Sequence, residues 1–311
     1  MRLVTLGTGA GRPTLRRASA AVALEFDGDI FLFDCGEGTQ LQLMKSRLRW
    51  GKVKAIFITH LHGDHFNGLV GLLGTFSLSE RTEALHVFGP SGMSEILRLG
   101  LKRHQYSLSY PCHFKEIKGP STLLETETYC VKTQALSHVI ECWGYVFQEK
   151  DLPGKFDRDA AFRAGVPSGP VRGRLVRGET VTLEDGRVFK PQDFVGPTRS
   201  GRSVAYCLDT RPCQGALDLA KGADVVLYES TFTKDMKKEA HAWGHSCAED
   251  GAQVAQEAAA KHLILTHISQ RYGSSKELLE EAKPHFENTV VAYDLDEFQI
   301  ERGGGLRLID R

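Results

Sequence analysis

The most restrictive feature of this chain is the stretch Thr59 to His65, which reads Thr-His-Leu-His-Gly-Asp-His. Three of the twelve histidines and one aspartate lie between positions 60 and 65, directly after the apolar run Val53 to Ile58. Such a run is typical of a buried strand. A single histidine is more often an ordinary core or surface side chain, but four candidate ligands around a glycine do not suit packing or solubility. The stretch therefore predicts a metal site, and its nitrogen and oxygen ligands suit zinc, manganese or iron.

Four other apolar runs also end close to a polar residue that could serve a site. The runs are Tyr129 to Leu136, Val204 to Leu208, Val225 to Tyr228 and Leu263 to Thr266, and they lead to His138, Asp209, Glu229 and His267. Helix-like segments alternate with the runs, among them Phe66 to Leu78 and the alanine-rich stretch behind the capping-box pair Ser246 and Glu249. This alternation predicts an α/β sandwich. Because strand ends that share one edge of a sheet bring their ligands together, we expect these residues to meet at one site.

Composition and charge exclude few classes of fold or function. The 311 residues are 41% hydrophobic, enough for one large or two ordinary domains, and 39 basic residues balance 39 acidic ones. No apolar run approaches the roughly 18 residues that span a bilayer, and the N-terminus does not have a basic segment followed by an apolar one. We therefore expect a cytoplasmic protein without a membrane partner. The seven cysteines have no paired short spacing, so we expect reduced thiols that take no part in metal binding.

Residues 151 to 200 differ from their surroundings. The segment is rich in proline and glycine and has little apolar periodicity except for a predicted hairpin at Asp185-Gly186. Six basic residues and two acidic ones lie between Lys155 and Arg177. Such a run is often a solvated loop, but arginine side chains also suit the oxygens of a phosphate backbone. The residues alone leave both interpretations open.

Two metal ions account for the candidate ligands better than one. We expect the ligands to form a first group of His60, His62 and His138, a second group of Asp64, His65 and His267, and a bridge at Asp209. Each group leaves room for a shared water, whose pKa such a pair of ions lowers toward about 7. The ions would also offset the charge that develops on a phosphoryl oxygen.

Proton transfer has its own candidates. Asp64 could accept a proton from the attacking water in addition to binding metal. Glu229 and His245 are the candidate pair for a leaving alkoxide, with the carboxylate orienting the histidine that donates the proton. The alternative for His245 is a structural role beside a helix N-terminus, since it precedes Ser246. Asp34, at the end of another strand, could be a further ligand or could order its loop by accepting hydrogen bonds, and we expect the second role.

The pattern His-x-His-x-Asp-His at positions 60 to 65, with the later His138, Asp209 and His267, resembles the metallo-β-lactamase superfamily. Within that superfamily, further stretches are similar to the bacterial ribonuclease Z family of tRNA 3′-processing endonucleases. These stretches are Phe33 to Gln40, Gly169-Pro170, Glu229-Ser230-Thr231 and Thr266 to Tyr272. The likeness covers nearly the whole chain.

The resemblance implies a four-layer αβ/βα sandwich formed by a single domain, residues 1 to 311, with residues 151 to 200 as a protruding arm. It implies two zinc ions per subunit, with manganese or iron as alternatives, and a homodimer whose arm binds the precursor tRNA of the partner subunit. It implies cleavage that removes the 3′ trailer and leaves a 3′-hydroxyl on the tRNA. The substrate-binding residues that it implies are Arg17, Gly169, Pro170, Arg172, Arg174, Arg177 and Arg271.

The chain departs from the family pattern at two places. Tyr228 and Ser230 flank Glu229, where the family often has histidine and alanine. The N-terminal loop Pro13 to Ala18 keeps the proline and Arg17 but lacks the lysine and asparagine of the family. Two rival functions remain: a hydrolase of small phosphodiesters or sulfate esters with an ordinary insertion, and a metal-containing RNA-binding protein without turnover.

Overall fold

The computed structural model describes residues 1–105 and 107–310, which form two compact units. The first unit comprises Met1–Thr126, Cys130–Gln148 and Arg202–Arg311, and the second comprises Glu127–Tyr129 and Glu149–Gly201. The strands are β1 (Arg2–Gly7), β2 (Gly9–Ala10), β3 (Ala21–Phe26), β4 (Asp29–Phe33), β5 (Val53–Phe57), β6 (Leu85–Gly89), β7 (Cys112–Glu116), β8 (Ser121–Glu125), β9 (Tyr129–Ala135), β10 (Trp143–Glu149), β11 (Val181–Thr182), β12 (Val188–Phe189), β13 (Ser203–Cys207), β14 (Val225–Glu229), β15 (His262–Thr266), β16 (Ile268–Ser269), β17 (Thr289–Val291), β18 (Glu297–Ile300) and β19 (Leu306–Asp310). The α-helices are α1 (Thr39–Lys45), α2 (Gly63–Phe66), α3 (Leu69–Leu78), α4 (Met93–Arg103), α5 (Arg158–Arg163), α6 (Pro170–Val176), α7 (Gln214–Ala220), α8 (Lys237–Ala242), α9 (Ala248–Glu257) and α10 (Lys276–Ala282).

The first unit is built on two large mixed sheets. One has the strand order β19-β18-β1-β3-β4-β5-β6-β7, and the other has the order β17-β15-β14-β13-β10-β9-β8. Aromatic rings fill the space between the sheets: the centroids of Phe57 and Tyr145 are 5.3 Å apart, as are those of Phe33 and Tyr206. Helices α1, α3 and α4 pack on the other face of the first sheet, and α7, α9 and α10 on the other face of the second. These four layers confirm the predicted αβ/βα sandwich.

The second unit has a small core of its own. Its core cluster combines residues of both short helices, of the hairpin and of the connecting segments: Ala161, Val166, Leu175, Val181, Phe189 and Phe194. In the hairpin, Val181 pairs with Phe189, and Gly186 has a φ of 84°, which a residue without a Cβ adopts without strain. The segment 151 to 200 is therefore a folded element and not an unstructured solvated loop.

The structure corrects the predicted helix Phe66 to Leu78. Helix α2 already ends at Phe66, and α3 begins at Leu69. The break lets the chain approach the loop after β4, where Gly68 N donates to Cys35 O at 3.0 Å. A Cβ on Gly68 would lie 2.1 Å from Gly36 O, so only glycine allows this approach. As a result, the short helix α2 begins inside the histidine cluster and carries Asp64 and His65.

The capping box predicted before α9 is shifted by one residue. The N-cap is Cys247, and its partner is Asp250, in place of the expected Ser246 and Glu249. All seven cysteines are free thiols, as the sequence predicts. Among the described residues, no helix is both long and apolar enough to cross a membrane.

Candidate active site

Three residues at or next to strand ends have an unusual backbone: Asp34 and His267 directly follow β4 and β15, and Asp209 lies two residues after the end of β13. Asp34, Asp209 and His267 have φ angles of 60°, 55° and 55°. Residues other than glycine are uncommon in this left-handed region, and such strain, of order 1–3 kcal/mol each, is found mostly at functional sites. The sharp turns end β4, β13 and β15 and place these side chains beside the cluster that follows β5. This is the convergence of strand ends that the sequence predicts.

The seven predicted ligands lie in two adjacent groups. In each group, every residue offers one potential ligand atom, and these atoms all lie within 4.8 Å of one another. The first group is His60, His62, His138 and Asp209, and the second is Asp64, His65 and His267. Asp209 also contacts the second group, because its Oδ1 lies 3.3 Å from His65 Nε2 and 3.1 Å from His267 Nδ1. Its position between the groups is therefore compatible with the proposed bridge.

Hydrogen bonds fix which nitrogen atoms face the centre. His65 Nδ1 donates to Asp34 Oδ2 at 2.8 Å, and His138 Nδ1 donates to Gly244 O at 2.8 Å, because carboxylate and carbonyl oxygens only accept. In the neutral rings, Nε2 then carries a lone pair. The Nε2 of His65 lies 3.1 Å from His267 Nε2, and the Nε2 of His138 lies 3.2 Å from His62 Nδ1. Ring nitrogens thus converge on each other in a buried space.

The charges of the two groups fit divalent cations. Burial lowers the pKa of His60 well below its ordinary value, with a further contribution from His65, so this ring is neutral, as a metal ligand must be. Burial would also lower the pKa of His65, but Asp209 and Asp34 raise it well above its ordinary value, so binding of a cation to Nε2 of this ring would release a proton. In addition, Asp209 Oδ1 is buried and makes no well-formed hydrogen bond, although ring nitrogens of His65 and His267 lie 3.3 and 3.1 Å away. Converging nitrogens beside an unsatisfied carboxylate oxygen are a donor set that a divalent metal satisfies.

Asp34 has the hydrogen-bonding role that the sequence predicts. It is fully buried and accepts hydrogen bonds from Thr59 N at 2.8 Å, from Tyr206 OH at 2.9 Å and from His65 Nδ1. The Thr59 hydroxyl also lies 2.9 Å from His60 Nδ1. Asp34 therefore orients a ring of each group from behind, the arrangement by which outer carboxylates hold metal-binding histidines.

Asp64 contacts three groups at the edge of the cluster. Its Oδ2 accepts a hydrogen bond from Gly11 N at 2.7 Å and lies 3.4 Å from His267 Nε2 and 3.5 Å from His65 Nε2. Burial would raise the pKa of Asp64, but hydrogen bonds from His267 and His65 lower it well below its ordinary range. An ionised carboxylate suits a ligand, while a lowered pKa weakens it as a base, so the base role of Asp64 stays a prediction.

Glu229 and His245 are adjacent, as predicted. Glu229 is fully buried, and its carboxylate oxygens each lie 3.2 Å from His245 Nδ1. The carboxylate also accepts hydrogen bonds from Thr210 N at 2.6 Å, from Ser246 N at 3.0 Å and from Thr231 Oγ1 at 2.7 Å. Since Nδ1 faces Glu229, Nε2 is the nitrogen of His245 that can contact a substrate and transfer a proton to it.

Sequence reasoning missed several supporting residues. Thr231 Oγ1 lies 2.9 Å from His267 Nδ1 and thereby connects Glu229 to the second group. Thr231 belongs to the stretch Glu229-Ser230-Thr231, which resembles the family, but the sequence alone indicates no role for its hydroxyl group. Thr59, Tyr206 and the amide of Gly11 have no periodicity or spacing that marks them, because their contacts cross between distant parts of the chain.

The basic residues predicted to bind substrate differ in their surroundings. The guanidinium of Arg17 donates to Thr8, Ser275 and Ala292, all within the protein. Arg271 is exposed and lies over the ring of Phe232, 4.7 Å from its centroid. Phe232 in turn contacts His245, with ring centroids 6.0 Å apart, so Arg271 lies beside the proposed proton donor.

Within the second unit, the predicted residues lie on or next to α6. Gly169 is the N-cap with a φ of 91°, and Pro170 occupies the first turn, where its missing N–H costs no helical hydrogen bond. Arg172 NH2 donates to Val166 O inside the unit, whereas Arg174 and Arg177 are exposed and pair with Glu179. Two of these three arginines are therefore accessible to a ligand.

The cluster opens into a cavity of about 210 Å³. Its walls are formed by Ala10, Gly11, His62, Asp64, Asp209, Thr231, His245, His267 and Ser269. A larger pocket of about 660 Å³ shares Ser269 with it and is lined by the N-terminal loop and by residues 268–275. Members of both ligand groups and His245, which Glu229 holds from behind, therefore face one accessible space, which suits a reaction on a bound substrate.

Comparisons with known proteins agree with this geometry. A model described as "Beta-lactamase superfamily domain" matches residues 170–268, and one described as "Anti-Pycsar protein Apyc1" matches residues 1–150. The chain is 44% identical to ribonuclease Z of Acaryochloris marina over 97% of its own length and 98% of that protein. It is 45% identical to ribonuclease Z of Bacillus licheniformis over 97% of its length and 100% of that protein.

A solved structure extends this likeness. Human tRNase Z, short form, matches with a TM-score of 0.71 and 27% identity, over 97% of this chain and 100% of that one. With this fold, its two ligand groups and its near full-length identity to ribonucleases Z, the chain belongs to the ribonuclease Z family of metallo-β-lactamase-fold proteins.

Proposed function

We propose that this chain is an endoribonuclease that removes the 3′ trailer from precursor tRNA and leaves a 3′-hydroxyl on the tRNA. The observation that supports it most directly is the pair of ligand groups with Glu229 and His245 at one cavity, in a chain similar to ribonucleases Z over nearly its whole length. Cleavage of a trailer-bearing precursor tRNA with end mapping of both products tests the assignment.

The metal in this proposal is zinc, two ions per chain, with manganese or iron as alternatives for the same ligands. His60, His62 and His138 would hold one ion, Asp64, His65 and His267 the other, and Asp209 would contact both. Divalent ions in such a pair lower the pKa of water and offset charge on the phosphoryl group. Elemental analysis of the purified protein identifies the metal.

In this proposal, side chains around the cavity transfer the protons and contact the RNA. Asp64 accepts a proton from the attacking water, in addition to its ligand role. His245, held by Glu229, donates a proton to the 3′-oxygen of the tRNA as its bond to phosphorus breaks, and the phosphate stays on the trailer. Arg271, exposed beside Phe232, contacts a phosphate of the RNA.

We also propose that residues 151 to 200 are an arm that binds tRNA. Its exposed basic side chains include Lys155, Arg158, Arg163, Arg174 and Arg177. Contacts between such groups and phosphates dominate the affinity of proteins for nucleic acid. A small diester has no tRNA body for these residues to bind, and none of them lines the 210 Å³ cavity, so the arm and the cleavage site can be tested separately.

Replacing residues 151 to 200 with a short glycine-serine linker is expected to lower kcat/KM for precursor tRNA on the order of 100-fold, because several phosphate contacts are lost. Hydrolysis of bis(p-nitrophenyl) phosphate should remain within about threefold of the parent, because no residue lining the 210 Å³ cavity belongs to the segment. Steady-state kinetics with both substrates measure the difference. An arm that keeps its fold but carries Arg158→Ala and Arg163→Ala is the matched control and should show an intermediate loss. Equal losses on both substrates would count against an arm that binds RNA.

A homodimer is part of the proposal, with the arm of one subunit serving the cavity of the other. Mixing an arm-deleted chain with a full-length His245→Ala chain is expected to restore precursor tRNA cleavage, because one mixed pair then combines an intact arm with an intact cavity. Activity of the mixture and mass by light scattering check this. A monomeric mass, or no recovery after subunit exchange, would contradict it.

We place the protein in the cytoplasm with its proposed substrate, which cell fractionation tests.

A further inference from the structure

The N-terminal loop, residues 11–17, lies against the second ligand group. Just before it, β2 pairs with β16, which directly follows His267, and Ile268 N donates to Thr8 O at 2.9 Å. Within the loop, Gly11 N donates to Asp64 Oδ2 at 2.7 Å. The loop therefore touches Asp64 directly and reaches His267 through its neighbouring strand.

The base of this loop is held closed by two sets of hydrogen bonds, of which those to Asp294 are partly buried. Gly9 N donates to Ala18 O at 2.9 Å, and the Asp294 carboxylate accepts from Thr8 N at 3.0 Å and from Ala18 N at 2.6 Å. A Cβ on Gly9 would lie 3.1 Å from the Cβ of Arg17, so the missing side chain allows the two chain segments to approach closely. The segment that delivers the Gly11 amide is thus fixed at its base, where Arg17 also lies.

Arg17 provides a third connection at this base. One guanidinium nitrogen donates to Thr8 Oγ1 at 2.6 Å and to Ala292 O at 2.8 Å, and the other donates to Ser275 Oγ at 2.7 Å. The guanidinium carbon lies 4.8 Å from the ring centroid of Tyr293. The planar group thereby joins the loop to two other segments, which a lysine with a single ammonium cannot reproduce.

Other arginines of the loop have a different environment. Arg12 and Arg16 are exposed, while Arg17 is half-buried with its fork directed inward. A phosphate that engaged both terminal guanidinium nitrogens of Arg17 in a forked geometry would compete with Thr8, Ala292 and Ser275 for their N–H groups. Binding of RNA would then disrupt the base of the loop that touches Asp64.

We infer that Arg17 is a positioning residue that fixes the N-terminal loop so that the Gly11 amide holds Asp64 in place, and that it does not contact the RNA. This replaces the substrate-binding role that the resemblance implied for Arg17. The inference rests on the proposed function only in assigning Asp64 to the reaction. Its structural part concerns the loop alone.

The test compares Arg17→Ala with Arg16→Ala, a matched control of the same residue type on the same loop. For Arg17→Ala, kcat should fall 10- to 100-fold with both precursor tRNA and bis(p-nitrophenyl) phosphate, the loss typical of groups that orient metal ligands. KM for precursor tRNA should stay within about twofold. Hydrogen exchange of the amides of residues 9–18 should become faster, and Arg16→Ala should leave hydrolysis of the small diester and this exchange unchanged.

Each alternative gives a different result. A raised KM for precursor tRNA with unchanged hydrolysis of the small diester would show that Arg17 contacts RNA and would overturn the inference. A lower melting temperature with unchanged kcat at 25 °C would show a merely structural role and would also overturn it. If the parent enzyme does not cleave precursor tRNA at all, the proposed function fails, but the small diester and the exchange data still decide the role of Arg17.

Two milder variants cover the case in which Arg17→Ala does not fold. Arg17→Lys keeps the charge, so an RNA contact would be largely retained, whereas the positioning role predicts a loss of kcat on both substrates. Ser275→Ala removes one acceptor of the fork and should lower kcat on both substrates about two- to fivefold, consistent with the loss of one of three hydrogen bonds. Full activity of both variants would overturn the inference.

Discussion

An Asp209→Asn variant is expected to lose activity on the order of 10⁴-fold on every phosphodiester substrate, equivalent to about 5.5 kcal/mol of transition-state stabilisation. It should also retain little metal after purification. Asp209 is 2% exposed, and it is the predicted ligand that contacts histidines of both groups. An amide in its place removes the negative charge and directs an N–H group toward a cation. Kinetics and elemental analysis on the same preparation measure both effects.

Asparagine is the appropriate replacement because of the backbone at this position. Asp209 has a φ of 55°, a conformation that asparagine tolerates better than alanine does. The variant therefore changes the charge while preserving the turn after β13. Thermal unfolding of the metal-free protein verifies that the fold is intact.

Asp34→Asn is a matched control for this experiment. Asp34 is equally buried, also follows a strand and has a φ of 60°, but it contacts His65 Nδ1 from behind the cluster. Its replacement should cost 10- to 100-fold and leave most of the metal bound. If the two variants lost activity equally, or if Asp209→Asn kept its metal, the assignment of Asp209 as a shared ligand would be wrong.

Strand positions and the ligand cluster were predictable from the sequence because both depend on short-range patterns. The run Val53 to Ile58 corresponds to β5 (Val53–Phe57), and Val225 to Tyr228 corresponds to β14 (Val225–Glu229). Polar residues at the ends of such apolar runs indicate the edge of a sheet where a site forms. The hairpin at Asp185-Gly186 was predicted from its turn residues and is also present.

Features that depend on contacts between distant segments were not predictable in this way. Strand β7 (Cys112–Glu116) is at the edge of its sheet and mostly exposed, so it has no buried apolar run to reveal it. The break between α2 and α3 depends on the approach of the loop at Gly36, and the amide of Gly11 has no side chain that could indicate its contact with Asp64. For Arg17, the resemblance drew attention to the residue, but its interactions are visible only in the folded chain.

His245 is the basis of the second large expected effect. His245→Ala should lower kcat for precursor tRNA by about 10²- to 10⁴-fold, the range for loss of a general acid, without loss of metal. Burial alone would lower the pKa of His245, but the charge and hydrogen bond of Glu229 raise it to about 9. The ring is therefore protonated at neutral pH and ready to donate. Because the acid form is lost as the pH rises through this pKa, the rate in the parent enzyme should decline on the alkaline side.

The leaving group distinguishes a proton donor from a ligand. The 3′-oxygen of a nucleotide needs a proton when it leaves, whereas p-nitrophenolate is stable without one, so His245→Ala should cost less than about tenfold on bis(p-nitrophenyl) phosphate. His241→Ala is the matched control, because His241 also pairs with a buried carboxylate, Asp250 at 2.8 Å, but does not line the 210 Å³ cavity.

His245 also lies near Asp209 and His267 in a geometry that could hold metal. Equal losses on both substrates, accompanied by loss of metal, would therefore identify His245 as a ligand, whereas a loss confined to the poor leaving group would identify it as the proton donor.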